Sequence, residues 1–484
     1  MSRLRAVFVI FVTLAVSSLA DGAKDDSIKV LTRDGFPIAG PALHYAALFG
    51  KREGIPVEIR QSPFRQLYDE IMIGFVTGTM SADVLLIPSA WLPDFAPYLS
   101  PVPGELINSA VVDDIHPIYR DALMRWEKQW MALTIDGDML MGIYRKDLFV
   151  DPNFRKAFRG RFGRDLEPPA TWLEYRQIAE FFHGQEDHQG RRLAGTLEAY
   201  SRGGQRLWYL FGHVAAYTNH PDFPGSMFFD PVTLKPSITN PAWRRALTDY
   251  IELSKSIPSD PSSLDSYQVR TRFSRGEAAM AIDWTDIGVL ASSRENSVIA
   301  DDIGFFMLPG SRQAWNPEKH EWEEYKEPRN VPFLAFGGWV GVVPRSSTDP
   351  QRAWSYLALY TDPELSINDV TDGTSGINPY RLSHLANAEP WHQSMGQNLA
   401  DEYLSILSKS LESPFAARDL RIPGYRAYMA TLDEQVEQIL LKETSIEQAL
   451  QTTAGAWEQI TDRLGRNSQI RHYRAAMGLS EQKP

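Results

Sequence analysis

Two carboxylates stand two residues apart at Asp136-Gly137-Asp138. On an extended segment such residues share a face, so the pair could supply the acid and base that glycoside cleavage requires. An ordinary turn would carry the same three residues, and both readings stay open. Asp283 and Asp286, around Trp284, raise the same question, although Asp286 could simply cap a helix running toward Ser292. His183 and His188 lie five apart in a polar loop, which is not a standard metal spacing. There is no P-loop, no G-x-G-x-x-G after a strand, no H-E-x-x-H and no G-x-S-x-G. Cysteine is absent, which excludes thiolate metal sites and cysteine nucleophiles.

The aromatic residues carry more information. Trp91, Trp284 and Trp339 each follow a predicted strand directly and sit beside Gly, Ser or Asp. Trp243 and Trp354, in contrast, lie inside periodic apolar faces, as core residues do. An aromatic plane next to polar groups suits a ring with one apolar face and hydroxyls at its rim, which describes a sugar. Core packing is the competing explanation for each tryptophan taken singly.

The elements that would position these residues form an α/β pattern. Ile28 to Thr32 reads as a strand and Pro41 to Glu53 as a helix, with Gly54 after it. Val57 and Ile59 mark a second strand, and Ser62 to Thr77 a second helix. Asp83 to Ile87 has the composition of a fully buried strand, stopped by Pro88. This alternation implies a parallel sheet with crossover helices, and ligands bind at the carboxyl edge of such sheets. A helix is predicted over 113–126, and strands over 129–135 and 139–145. Thr171 and Glu174 form a capping box for a helix reaching His183. Ala278 to Asp283 is a strand, Gly310 to Pro332 a polar, exposed excursion that could form a hairpin, and the tail from Tyr425 onward is helical. The stretch 333–363 reads as apolar chain, the pair Gly337-Gly338, Trp339, a strand, then a helix capped by Asp349.

Length bounds the chain at two or three domains: 484 residues with 43% hydrophobic content and 13 tryptophans support a large core. Residues 1–20 read as a cleaved secretory leader. Arg3 and Arg5 precede an apolar run, and Ser18-Leu19-Ala20 supplies small residues for the peptidase. No cysteine stands at that point to carry a lipid. No stretch approaches the ~20 apolar residues of a membrane span. The formal net charge is −12 before the two leader arginines are lost. So acidic a chain is a poor partner for nucleic acid or anionic membrane.

Several segments together resemble the extracellular solute-binding proteins of ABC importers, in the carbohydrate branch that includes maltose-binding protein. They are Ser81-Ala82-Asp83-Val84, the run Ile143 to Phe149 (IYRKDLF), Pro168 to Tyr175 (PPATWLEY), Phe273 to Trp284 (FSRGEAAMAIDW), the stretch from Phe333 through Trp354, and Gly376-Ile377-Asn378-Pro379. The resemblance implies a two-lobed periplasmic binding protein fold that closes on a solute. One lobe would hold 28–136 and 336–372, and the other 141–306 and 380–484, with 310–332 outside both. It implies a monomer with no cofactor or metal, partnered by a sugar or polyol and an inner-membrane ABC permease. Ligand contacts would come from Arg33 and Asp34, Trp91, Asp136 and Asp138, Trp284, and Gly338 with Trp339. Arg418 and Arg421 are further candidates, and Asp83 would be structural. Trp339 would then belong to the cleft, and Trp339→Ala would weaken binding and spare the fold. A carbohydrate-active enzyme using the paired acids, and a receptor for a phosphorylated polyol or other non-sugar, are the alternatives.

Overall fold

The computed structural model describes residues 27–203, 205–257 and 260–479. The leader expected at 1–20 lies outside them. Nine strands build two sheets: β1 (Ile28–Arg33), β2 (Val57–Ser62), β3 (Val84–Pro88), β4 (Leu133–Thr134), β5 (Leu140–Arg145), β6 (Ala194–Leu197), β7 (Ala278–Trp284), β8 (Ile303–Phe306) and β9 (Trp339–Val342). The first sheet has the order β2-β1-β3-β9-β4 and the second β8-β5-β7-β6. In the first, β1 runs parallel to β2 and β3, while β9 is antiparallel to both β3 and β4. The late strand β9 thus closes the lobe that the first residues began.

Burial accounts for the strand types. All five residues of β3, all six of β5 and all seven of β7 are buried, as helices on both faces require. Helices Phe36–Glu53 and Phe64–Thr77 end at Gly54 and Gly78, both left-handed. The chain leaves the first sheet after β4 and enters the second at β5. It returns through residues 331–338 to β9, and near Gly373 to Asn378 it runs between the lobes, Gly373 packing on Leu290 and Gly376 on Pro37. Contacts to the first lobe continue past that point: Arg381 Nη1 donates to Val111 O at 2.8 Å, and Ser383 Oγ to Asp114 at 2.6 Å.

Three expectations change. The helix predicted over 113–126 is broken into Ala110–Asp113 and Pro117–Leu123, because Pro117 restarts it. Arg125 and Trp126 instead pair with Gln129 and Trp130 as a short hairpin. The acidic segment Asp136-Gly137-Asp138 is no turn, since it is the extended link between β4 and β5, which belong to different sheets. The excursion at 310–332 is a two-stranded hairpin, Ser311–Asn316 with Glu321–Arg329, and it is only partly exposed. Ser311, Ala314 and Asn316 are buried, and Arg245 lies 5.6 Å over the Trp322 ring. Amphipathic alternation on one strand lets it dock while its other face stays polar.

Candidate functional site

The carboxyl ends of β1, β7 and their neighbours meet between the sheets at a cavity of about 850 Å³. The end of β1 delivers Arg33 from one lobe, and the helix Ser266–Ser274 delivers Arg270 from the other. Trp284 ends β7 and Trp339 starts β9, so the two rings face the same space from opposite lobes. Asp138, Asp286 and Asn378 complete its inner wall. Phe36 and Tyr267, 58% and 65% exposed, stand on opposite lobes of the same cavity.

Beneath it lies a polar floor. Asp136 Oδ1 accepts from the Asn378 backbone N–H at 2.6 Å and from its Nδ2 at 3.1 Å. The same Nδ2 donates to Asp138 at 3.0 Å. Asn378 Oδ1 accepts from Thr285 Oγ1 at 2.6 Å and from the Asp286 N–H at 2.8 Å. One asparagine therefore ties two interlobe segments to the end of β7. Burial raises the carboxyl pKa of both Asp136 and Asp138, and in Asp138 the neighbouring Asp136 carboxylate raises it further. Two carboxyls so close hold a proton between them more readily than two charges.

Arg270 organises the other acids. It donates to Asp286 at 2.5 Å and to Asp283 at 3.2 Å. Burial by itself lowers its pKa, but the two carboxylates outweigh that and hold it above the ordinary value. Asp283, fully buried, also accepts from Tyr209 Oη, and burial pushes it up to about 6. Asp286 makes no capping bond to the helix it precedes. Its Oδ1 is buried without a hydrogen-bond partner, on a residue that lines the cavity. A buried acceptor left unpaired costs ~1–3 kcal/mol, so this oxygen calls for a donor. Burial, with Arg270 adding to it, lowers the Arg33 pKa. The guanidinium sits 5.6 Å over the Phe64 ring.

Of the residues singled out in the sequence, the cavity brings together Arg33, Asp138, Trp284, Asp286 and Trp339. Asp136 lies under it, walled off by Asn378. Asp34 is exposed beside it. Gly338, at φ +89°, packs against the floor, where an added Cβ would stand 1.9 Å from the Asp136 carbonyl. Trp91 stacks on Phe64 at 5.7 Å in a neighbouring, smaller cavity. Arg418 donates to Ala476 O at 3.3 Å and lines neither cavity. Arg421 is a structural clamp: burial lowers its pKa to about 9, and it donates to the carbonyls of Ser89, Ala122, Leu123 and Arg125. Asp83, as expected, is structural, accepting from Lys29 N–H and Ser347 Oγ. Trp339 is only 3% exposed and sits within a paired strand, so its removal is expected to cost stability as well as binding. Sequence reading missed Arg270, Gln205 and the free oxygen of Asp286. Only the position of Asp286 just after Trp284 hinted at the last. Among the described residues no cluster suits a metal ion, and no helix is long and apolar enough to cross a membrane.

Known proteins share this architecture. An ABC-transporter solute-binding protein from Agrobacterium vitis S4, with bound D-mannitol, superposes with a TM-score of 0.67 at 20% identity, covering 91% of this chain and 99% of that one. One from Agrobacterium radiobacter K84, in complex with ribitol, gives 0.71 at 16% identity, with 90% and 98% covered. Maltose-bound MalE3 of T. maritima gives 0.70 at 19% identity, with 90% and 99% covered. All three share the two-lobed periplasmic binding protein fold. No curated protein matches the chain. The family model for bacterial extracellular solute-binding protein matches residues 44–395. The chain belongs to that family of bacterial extracellular solute-binding proteins.

Proposed function

We propose that this protein is a periplasmic receptor that binds a sugar or polyol and hands it to an ABC-type permease, without covalent chemistry. The observation that carries the reading is the interlobe cavity, whose lining includes Trp284, Trp339 and Asp286, the last with a buried carboxylate oxygen that has no hydrogen-bond partner. Ring faces suit the C–H face of a carbohydrate, and Asp286 and Asp138 accept from its hydroxyls while Arg33 donates to them. Because the walls come from both lobes, a solute makes all its contacts only when the lobes meet, so binding favours the closed form. The mannitol, ribitol and maltose held by the similar structures support this class of solute. The leader-like residues 1–20 support export, the mature chain acting as a monomer. Asp136 and Asp138 do not favour the enzyme alternative, since only Asp138 lines the cavity and Asp136 lies behind Asn378, out of reach of a solute there.

A thermal-shift screen of the mature protein against sugars, polyols and phosphorylated polyols tests the proposal. A true solute at a hundred times its Kd adds ~2.7 kcal/mol of stability. Shifts with neutral carbohydrates are expected. A shift confined to phosphorylated polyols would overturn the neutral-solute reading, and Arg33 would then be their anchor.

A further inference from the structure

The floor of the cleft holds an oxygen with nothing to bond to. Asp136 is 0% exposed; its Oδ1 takes both bonds from Asn378, and its Oδ2 is buried without a hydrogen-bond partner. The Asp138 carboxyl stands beside it. The Asn378 Nδ2 that reaches Asp136 at 3.1 Å reaches Asp138 Oδ1 at 3.0 Å, and the two carboxyls are in hydrogen-bonding contact with each other. Ionised carboxylates only accept, so two of them cannot make that bond. A proton on Asp138 makes it, and gives Asp136 Oδ2 the donor it lacks.

The charges around the pair favour the same state. Asp286, at the end of β7, adds a third carboxylate acting on Asp138. Arg270, on the helix Ser266–Ser274, opposes it but is committed to Asp283 and Asp286. Arg33, at the end of β1, is the other cation that acts on Asp138, and its Nε donates to the Asp34 carbonyl at 3.1 Å. Tyr119, on the helix Pro117–Leu123, donates to Gly137 O at 3.0 Å, Tyr403 on the helix Gln397–Leu411 donates to Thr285 O at 3.0 Å, and Tyr380 packs on Gly137. All three phenols are neutral, since burial raises their pKa. Asp138 is 5% exposed and lines the cavity, so the cavity is where it still meets solvent. A solute held beside Trp284 and Trp339 replaces that solvent, which disfavours a carboxylate more than a neutral carboxyl.

Building on the receptor reading, we infer that solute binding is coupled to a proton: Asp138 carries one, donated to Asp136 Oδ2, and solute entry strengthens the floor's hold on it, so that above neutral pH the protein draws a proton from the solvent as it takes up its solute. The sign follows from linkage. The state that holds the proton more tightly is favoured as pH falls, so affinity weakens as pH rises. An acid that merely accepted from a solute hydroxyl would give the reverse slope, because its ionised form is the better acceptor.

Infrared spectroscopy of the mature protein from pH 7 to pH 10 tests the proton. At pH 8 Asp369 and Asp419, raised to about 7 and about 6, are largely ionised, and a carbonyl band of a neutral carboxyl should persist. Asp136→Asn keeps the acceptor Oδ1 and puts an amide donor where Oδ2 stands, so Asp138 ionises and the band should be lost. Calorimetry with maltose, D-mannitol, ribitol and any carbohydrate that raises the melting temperature tests the coupling, in two buffers of different ionisation enthalpy at each pH. A solute that binds should give buffer-dependent enthalpies reporting proton uptake, and an affinity that falls about three-fold or more per pH unit once the band begins to fade. That slope should disappear in Asp136→Asn. No such band at pH 8, a band that survives Asp136→Asn, or an affinity that is flat or rises with pH overturns the inference while the receptor reading stands. Failure of every carbohydrate to bind overturns both.

Discussion

Arg270 is the residue whose replacement reports most sharply on the charge balance of the cleft. It faces Asp283 and Asp286, and its own side chain is 11% exposed, against 0% and 3% for its partners. Arg270→Met keeps much of the volume but leaves two buried carboxylates without a cation. Removing one partner from a buried ion pair costs ~3–5 kcal/mol, and a loss of about that size is expected at pH 8. The cost should depend on pH. Burial raises Asp283 to about 6 even with Arg270 present, and without the cation its folded pKa rises further. A raised folded pKa contributes stability that is complete at low pH and lost as pH climbs through that value. The variant-minus-wild-type difference should therefore shrink by ~1–2 kcal/mol between pH 8 and pH 6, because the freed Asp283 takes up a proton that wild type holds less firmly. Urea titrations of both proteins at the two pH values measure this. A loss under ~1 kcal/mol at pH 8, or a loss no smaller at pH 6, would refute the assignment of Arg270 as counter-ion to the pair.

Other variants separate fold from binding. Gly338→Ala places a Cβ 1.9 Å from the Asp136 carbonyl at φ +89°, so stability should drop by ~3 kcal/mol or more; an unchanged urea midpoint would show that the crossing is slack. Trp339→Ala should cost ~3–5 kcal/mol as a buried aromatic truncation, whereas Trp339→Phe should stay folded and bind its sugar ten-fold more weakly, as read by calorimetry. Asp369 is pushed up to about 7, and Asp419 to about 6, in both cases mainly by burial. Asp136 is raised to about 7 and Asp283 to about 6 in the same way. Their stabilising contribution is lost as pH rises through those values, ~2 kcal/mol in all between pH 6.5 and pH 8. His384 and His116, whose pKa values burial lowers, already oppose it at pH 6.5, where each is half protonated in the unfolded chain, so wild type should be ~1 kcal/mol more stable at pH 6.5 than at pH 8. Equal stability at 6.5 and 8 would count against raised pKa values in those acids.

Much of the architecture was legible because it follows local rules. Gly54 and Gly78 stop helices where left-handed residues are needed, and Pro88 stops β3. Thr171 and Glu174 make both bonds of the predicted capping box. Strand composition announced β3 as buried on both faces. The site was less legible, because its chemistry depends on distance in space. Asp136 and Asp138 look equivalent in sequence, yet only Asp138 lines the cavity, and the difference is made by Asn378 some 240 residues away. Arg270 looks like an ordinary polar position on a helix and acquires meaning only when β7 brings Asp283 beneath it. Trp91, Trp284 and Trp339 were found by their position after strands, but which of them share a cavity depended on the lobe-to-lobe fit. Gln205 carries no signal at all, since a left-handed glutamine is unremarkable until a cleft is seen on both sides of it.

The polar floor gives a reason for the arrangement of the segments between the lobes. An apolar contact tolerates sliding, and lobes joined through such a contact could close in several registers. Asn378 instead makes directional bonds to Asp136, Asp138, Thr285 and Asp286, which belong to one crossing and to the end of β7. A shift of one element by a residue would leave several of these buried groups unpaired, each at ~1–3 kcal/mol. The floor therefore selects one alignment of Trp284 against Trp339, and with it one spacing between the rings. Closure then changes the width of the cleft but not its register.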